Sequence, residues 1–160
     1  EKGIEVIDEI EFGFRHLTGK VIAITGTNGK TTTTLLTYHL LKEGGFNVAL
    51  AGNVGESLAR KVIEGYEWYV TEVSSYQLDG TTNFKPSIGV LLNITPDHLD
   101  RYGYNLQNYI NSKFQLTWNM DEEDSFIFYK EDTNVSAEMI KRSIAPKQYP
   151  VSLSGAKAHA

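Results

Sequence analysis

The chain has no cysteine among its 160 residues. That absence excludes a disulfide framework and any thiolate nucleophile, and it leaves the cytoplasm as the expected compartment. Long apolar runs are also missing, so no segment reaches the length of a membrane helix. The first residues do not read as a basic-then-apolar leader. Positive charge is in short supply: 15 Lys and Arg face 20 Asp and Glu, a formal net charge of −5. A surface of that sign repels nucleic acid, so an anionic ligand has to be held by local donors. There is no internal repeat and no low-complexity segment. The length is one domain's worth of chain, enough to bury a core.

One stretch offers such donors. Val21-Ile22-Ala23-Ile24 reads as a buried strand and runs into Thr25-Gly26-Thr27-Asn28-Gly29-Lys30-Thr31-Thr32. Leu35, Leu36, Tyr38, Leu40 and Leu41 then follow at helical spacing. Strand, glycine loop and helix form the architecture that cradles a polyphosphate. Glycines let backbone N–H groups turn inward, and the helix start adds about half a positive charge. Lys30 can reach the outer phosphates and the Thr31 hydroxyl can ligate their magnesium. The general pattern G-x-x-x-x-G-K-[ST] is incomplete, because its first glycine would fall at Ile24. The plainer reading is a glycine turn with a solvated lysine.

The rest of the chain alternates. Strands are expected at Phe46–Ala51, Glu67–Val73, Ser87–Ile94, Phe126–Tyr129 and Gln148–Leu153. Helices are expected at Lys30–Lys42, Ser57–Ile63, Leu106–Trp118 and 133–143, with Ser74–Leu78 a polar loop. Residues 1–16 read either as a short strand and a helix begun at Asp8, or as a connector. Such alternation means an α/β fold: a mostly parallel sheet flanked by helices. Ligands sit beyond the C-terminal strand ends of such sheets. The polar clusters at 25–32, Asn53, 72–77 and 93–100 all fall there.

Several side chains on that rim are candidates. Glu72 ends an apolar strand, where a carboxylate is costly unless paired or bound to metal; the alternative is a glutamate turned to solvent. His98, between Asp97 and Asp100, is either a ligand or a structural loop residue. His16, His39 and His159 read as structural or surface residues. Lys113 falls on the apolar face of its helix, three residues after Ile110 and four after Tyr109. Taken alone, that position favours a lysine that snorkels to the edge. If enclosed, it would lose basicity and become a nucleophilic amine able to accept carbon dioxide. Ser74, Ser75 and Gln77 read as binding groups, since no histidine–acid pair stands at triad spacing. Tyr66, Trp68 and Tyr69 read as packing.

Together these motifs resemble the central ATP-binding domain of the Mur ligases. The residues that carry the resemblance are Gly26-Thr27-Asn28-Gly29-Lys30-Thr31-Thr32, Gly52-Asn53-Val54-Gly55, Glu72-Val73-Ser74-Ser75-Tyr76-Gln77-Leu78, Asn93-Ile94-Thr95-Pro96-Asp97-His98-Leu99-Asp100-Arg101-Tyr102, and Lys113. Their order and spacing agree along residues 20–118. The Ser-Ser-Tyr-Gln-Leu and Asp-His-Leu-Asp-Arg-Tyr forms are most similar to the branch that adds D-glutamate to UDP-N-acetylmuramoyl-L-alanine.

The resemblance implies a P-loop NTPase-like domain and a set of roles. Lys30 and the loop 26–32 would hold ATP. Thr31 and Glu72 would hold one Mg2+, and His98 a second, with Lys113 carbamylated beside it. Asn53, Ser74, Ser75 and Gln77 would contact the muramoyl substrate. Lys30, His98 and Lys113 would be the catalytic groups. The implied reaction forms an acyl phosphate and then an amide, in cytoplasmic peptidoglycan precursor synthesis. It also implies that residues 1–16 are a connector from an N-terminal domain, that 17–160 are the central domain without its last part, and that the N- and C-terminal domains are the partners of this unit. Alone, the fragment is expected to be inactive. Other Mur ligases, folylpolyglutamate synthetase-like ligases, a phosphate-loop kinase and a non-catalytic nucleotide-binding module are the competing readings.

Overall fold

A computed structural model describes residues 3–154. The first strand, β1 (Lys20–Thr25), is buried along five of its six residues and lies at the middle of the sheet. Its apolar run is continuous because both faces are covered, as in parallel sheets flanked by helices. On one side β1 pairs with β3 (Trp68–Glu72), and β3 with β2 (Val48–Gly52). On the other it pairs with β4 (Ile88–Leu91), followed outward by β5 (Ser125–Tyr129) and β6 (Lys147–Val151). All these pairings are parallel, in the order β2-β3-β1-β4-β5-β6.

Strand alternation divides the core in two. Ile22, Ile24, Val48 and Val70 face α2 (Lys30–Glu43), through Tyr38 and Leu41. Val21, Ala23, Ala49, Tyr69 and Phe126 face the opposite way. There they meet α1 (Glu9–His16), α3 (Leu58–Val62), α4 (Ser75–Asp79), α5 (Leu106–Phe114) and α6 (Thr133–Lys141), through Ile10, Leu58, Leu78, Phe114 and Val135. Among the described residues the α2 side therefore has one helix, lying on β1, β2 and β3. On that same side Tyr149 and Val151 of β6 are half exposed.

The sequence-based elements are present with shifted ends, some shorter and some longer than expected. The second strand starts at Val48, since Phe46 is exposed. The helix expected to reach Trp118 ends as α5 at Phe114 and continues as a 3-10 turn, Gln115–Thr117. Two points go further. Residues 9–16 form a helix capped by the Asp8 carboxylate, and Ile4–Ile7 form no strand. Ser74–Leu78, expected as a loop, is instead the start of α4: the Ser74 hydroxyl accepts from Gln77 N at 3.2 Å, and the Gln77 side chain accepts from Ser74 N at 3.0 Å. This reciprocal cap satisfies the orphan amides of a helix only five residues long.

Candidate functional site

The loop between β1 and α2 is shaped by what it meets across the sheet. Thr27 N donates to Asn93 O at 2.9 Å, and Asn28 N donates to Asn93 Oδ1 at 2.8 Å. Asn93 Nδ2 returns a bond to Asn28 O at 2.9 Å. The Thr27 hydroxyl donates to Thr95 O at 3.1 Å and lies 3.2 Å from the Tyr109 hydroxyl. Gly29 then takes φ +82°, a left-handed conformation that glycine adopts without strain, and α2 begins. The first amides of α2 have no intrahelical acceptor, as at any helix start, and are free to meet an anion there. Thr31 and Thr32 are exposed at that mouth.

Two lysines converge on the loop. Lys30 Nζ donates to Gly26 O at 3.1 Å and to Thr27 O at 2.9 Å. Lys113 Nζ donates to the same Gly26 carbonyl at 2.9 Å and sits 4.7 Å from the Tyr109 ring centroid. Lys113 is only 1% exposed, so the snorkelling favoured by its position alone does not occur. Burial first, and the Lys30 charge second, push its ammonium down to about 7. At neutral pH a large fraction is therefore the free amine.

Glu72 lies at the end of β3, next to the loop strand. It is 2% exposed, not turned to solvent. Oε1 accepts from Asn53 Nδ2 at 2.8 Å, while Oε2 is buried with no hydrogen-bond partner. A buried carboxylate oxygen left unpaired is expensive and fits a cation ligand. The approach is tight: a Cβ added at Gly52 would stand 2.3 Å from the Glu72 carbonyl oxygen. Among the described residues, no three His, Asp or Glu side chains group together as a metal site. Magnesium in phosphate sites takes one or two carboxylates and fills its shell from phosphate and water, so the donor set fits that ion.

The remaining candidates divide. Ser75 is buried, and its carbonyl accepts from the Ser112 hydroxyl at 2.8 Å. Ser74 and Gln77 are engaged in the α4 cap. His98 stands on the exposed loop after β4 with φ +49°, its ring 5.2 Å from Tyr76. Sequence reasoning placed Asn93 in a rim motif and Tyr109 on an apolar helix face but gave neither a role in the site. An asparagine just past the strand beside β1 was the available signal for Asn93. Tyr109 had none beyond its helical register with Lys113.

Two cavities flank this region. One of about 350 Å3, mostly apolar, borders the loop at Asn28, Gly29 and Thr33 and is walled by Leu92, Ile127 and Tyr129. A larger open groove of about 890 Å3 runs along α5, past Arg101, Ser112 and Arg142, and shares no residue with the loop.

A glycine loop between strand and helix, a buried carboxylate at the next strand end and a buried α5 lysine on the loop form the class of site seen here. The chain belongs to the Mur ligase family, since residues 24–160 match the Mur ligase middle domain. It is 53% identical over 153 residues to the UDP-N-acetylmuramoylalanine–D-glutamate ligase of Bacteroides fragilis, which covers 95% of this chain and 34% of that protein. It is 51% identical over 154 residues to the ligase of the same name from Christiangramia forsetii, covering 96% and 35%. The chain thus spans about a third of the length of these curated relatives. Among solved structures, the MurF ligase from Thermotoga maritima in complex with ADP superposes with a TM-score of 0.70 at 20% identity, over 91% of this chain and 35% of that one. E. coli FolC in complex with DHPP and ADP gives 0.65 at 14% identity, over 92% and 48%. At such identities these two show a shared fold.

Proposed function

We propose that this chain is the nucleotide-binding part of an ATP-dependent ligase that joins D-glutamate to UDP-N-acetylmuramoyl-L-alanine. The observation that carries the reading is the pairing of the phosphate loop with the orphaned Glu72 Oε2 and the buried Lys113 amine. The name shared by relatives at about half identity supplies the substrates.

In this reading Lys30 leaves the Gly26 and Thr27 carbonyls and turns to the β- and γ-phosphate oxygens. The free amides at the start of α2 hold the same oxygens, and the apolar cavity beside the loop receives the base. Thr31 and Glu72 would hold one Mg2+, and His98 with a carbamylated Lys113 a second. When bound, these ions offset the charge of the converging anions. The Lys113 carbamate forms when the neutral Nζ attacks the carbon of CO2 and releases one proton. Asn53, Ser74, Ser75 and Gln77 border the muramoyl substrate. Its carboxylate attacks the γ-phosphorus, and ADP leaves, giving an acyl phosphate. The amine of D-glutamate then attacks the acyl carbon, phosphate departs, and a proton is lost as the amide forms.

The test is phosphate release by the full-length protein. Release from ATP is expected only when both UDP-N-acetylmuramoyl-L-alanine and D-glutamate are present, and Lys30→Ala abolishes it. Rapid hydrolysis with neither substrate would instead favour a kinase or NTPase.

A further inference from the structure

The loop that carries His98 is nearly all surface. From Thr95 to Tyr104 only Leu99 and Tyr102 are withdrawn from solvent, Leu99 partly and Tyr102 into the buried class. Yet this loop holds His98 at φ +49°, a conformation uncommon for a residue with a Cβ. Such a conformation persists where its surroundings over-determine it, and it clusters at functional positions. The surroundings here converge on one side chain.

Tyr102 is 8% exposed. Its hydroxyl donates to Asp79 Oδ2, at the end of α4, at 3.0 Å. The Tyr102 hydroxyl oxygen also lies 3.2 Å from the Ser112 hydroxyl on α5, which in turn donates to Ser75 O. The Tyr102 carbonyl accepts from Asn108 Nδ2 at 3.1 Å. Its ring stacks on Tyr76, 6.3 Å away and 16° from parallel. Tyr76 carries the His98 ring, and the Arg101 guanidinium covers it at 4.4 Å. On the other side Tyr102 meets the Tyr109 ring at 5.3 Å, and Tyr109 touches both Thr27 and Lys113.

We propose that Tyr102 is a positioning residue: it pins the exposed loop to α4 and α5 and so sets His98 relative to the phosphate loop and Lys113. The proposal rests on the ligase reading for its catalytic consequence and on geometry alone for its structural one. A misplacement of about 1 Å at a reacting group costs about a hundredfold in rate.

The experiment compares Tyr102→Leu and Tyr102→Phe with Tyr104→Asn in the full-length enzyme. Tyr104 is an exposed neighbour on the same loop, also at positive φ, which asparagine tolerates. Tyr102→Leu is expected to lower kcat about a hundredfold while Mg-ADP affinity stays within about twofold, because the phosphate loop is anchored separately by Asn93. Tyr102→Phe keeps the ring and recovers part of kcat, and Tyr104→Asn behaves as the parent. A second readout needs no turnover: in histidine-labelled enzyme, the His98 ring signals move in Tyr102→Leu as the ring-current environment of Tyr76 is lost. Unchanged kcat, or kcat and ADP affinity falling together, would overturn the proposal, as would unmoved His98 signals. A parent enzyme with no D-glutamate-dependent phosphate release would refute the ligase reading instead, and the His98 signals would still decide the role of Tyr102.

Discussion

At the scale of single residues, Lys113 has the most distinctive chemistry. Folding depresses its basicity from 10.5 to about 7. The folded chain therefore binds fewer protons than the unfolded chain between those values. The destabilisation is present in full below pH 7 and is relieved as pH rises toward 10.5. Urea unfolding in CO2-free buffer should show stability rising with pH above 7, by up to about 1.4 kcal/mol per unit, and Lys113→Met should flatten that rise. In 13C-bicarbonate, the parent should gain a carbamate carbonyl signal that the methionine variant lacks. The register of Lys113 was legible in sequence, since it falls between Tyr109 and Phe114 on an apolar face. Its enclosure was not, because the groups that close over it, Gly26 and the Tyr109 ring, arrive from a distant loop and from its own helix's preceding turn. Glu72 was legible for a simpler reason: a carboxylate ending an apolar strand has few ways to be harmless.

At the scale of elements, α1 is tied down by an acid. Glu11 is fully buried, and its carboxylate accepts from Arg15 Nε at 2.7 Å and from the amides of Thr82, Asn83 and Phe84 at 2.9 to 3.0 Å. Burial alone would raise its pKa. The Arg15 and backbone donors outweigh that and hold it at about 2. The folded value lies below the unfolded 4.5, so the stabilisation is complete above that value and is lost as pH falls from 4.5 toward 2. It amounts to roughly 3 kcal/mol. Glu11→Gln should cost a similar amount at pH 7 and remove this part of the acid transition, as followed by circular dichroism. The Glu11–Arg15 pair stands at a readable i,i+4 spacing, but nothing local in the sequence foretold the latch, because its backbone donors lie about seventy residues away. The short α4 was more accessible. Ser74 and Gln77 stand at capping-box spacing, a signal outweighed by the brevity of the helix.

At the scale of the whole molecule, the sheet is dressed unequally. Among the described residues, five helices cover one side and α2 the other, so β5 and β6 present Ile127 and Tyr129 partly buried and Tyr149 and Val151 half exposed. A contiguous apolar patch of this kind binds apolar probes and promotes association. The 160-residue chain expressed alone should brighten anilinonaphthalene sulfonate and self-associate as concentration rises. Tyr149→Lys with Val151→Lys should suppress both, as read by fluorescence and sedimentation. The fold class was legible because strands and helices alternate with clear periodicity. The lopsided covering was not, since periodicity gives a strand two faces without saying which neighbour reaches each.

The bonds from Asn93 to the phosphate loop also set a schedule. The loop's donors and their acceptor are separated by 65 residues. Ribosomal synthesis at about 5 to 20 residues per second makes that a gap of about 3 to 13 seconds. During this interval the stretch from Gly26 to Thr32 lacks the Asn93 bonds that fix its curve in the folded protein. In the ligase reading, nucleotide would steady this loop only after Asn93 has been added, because the bonds that hold its curve come from that residue.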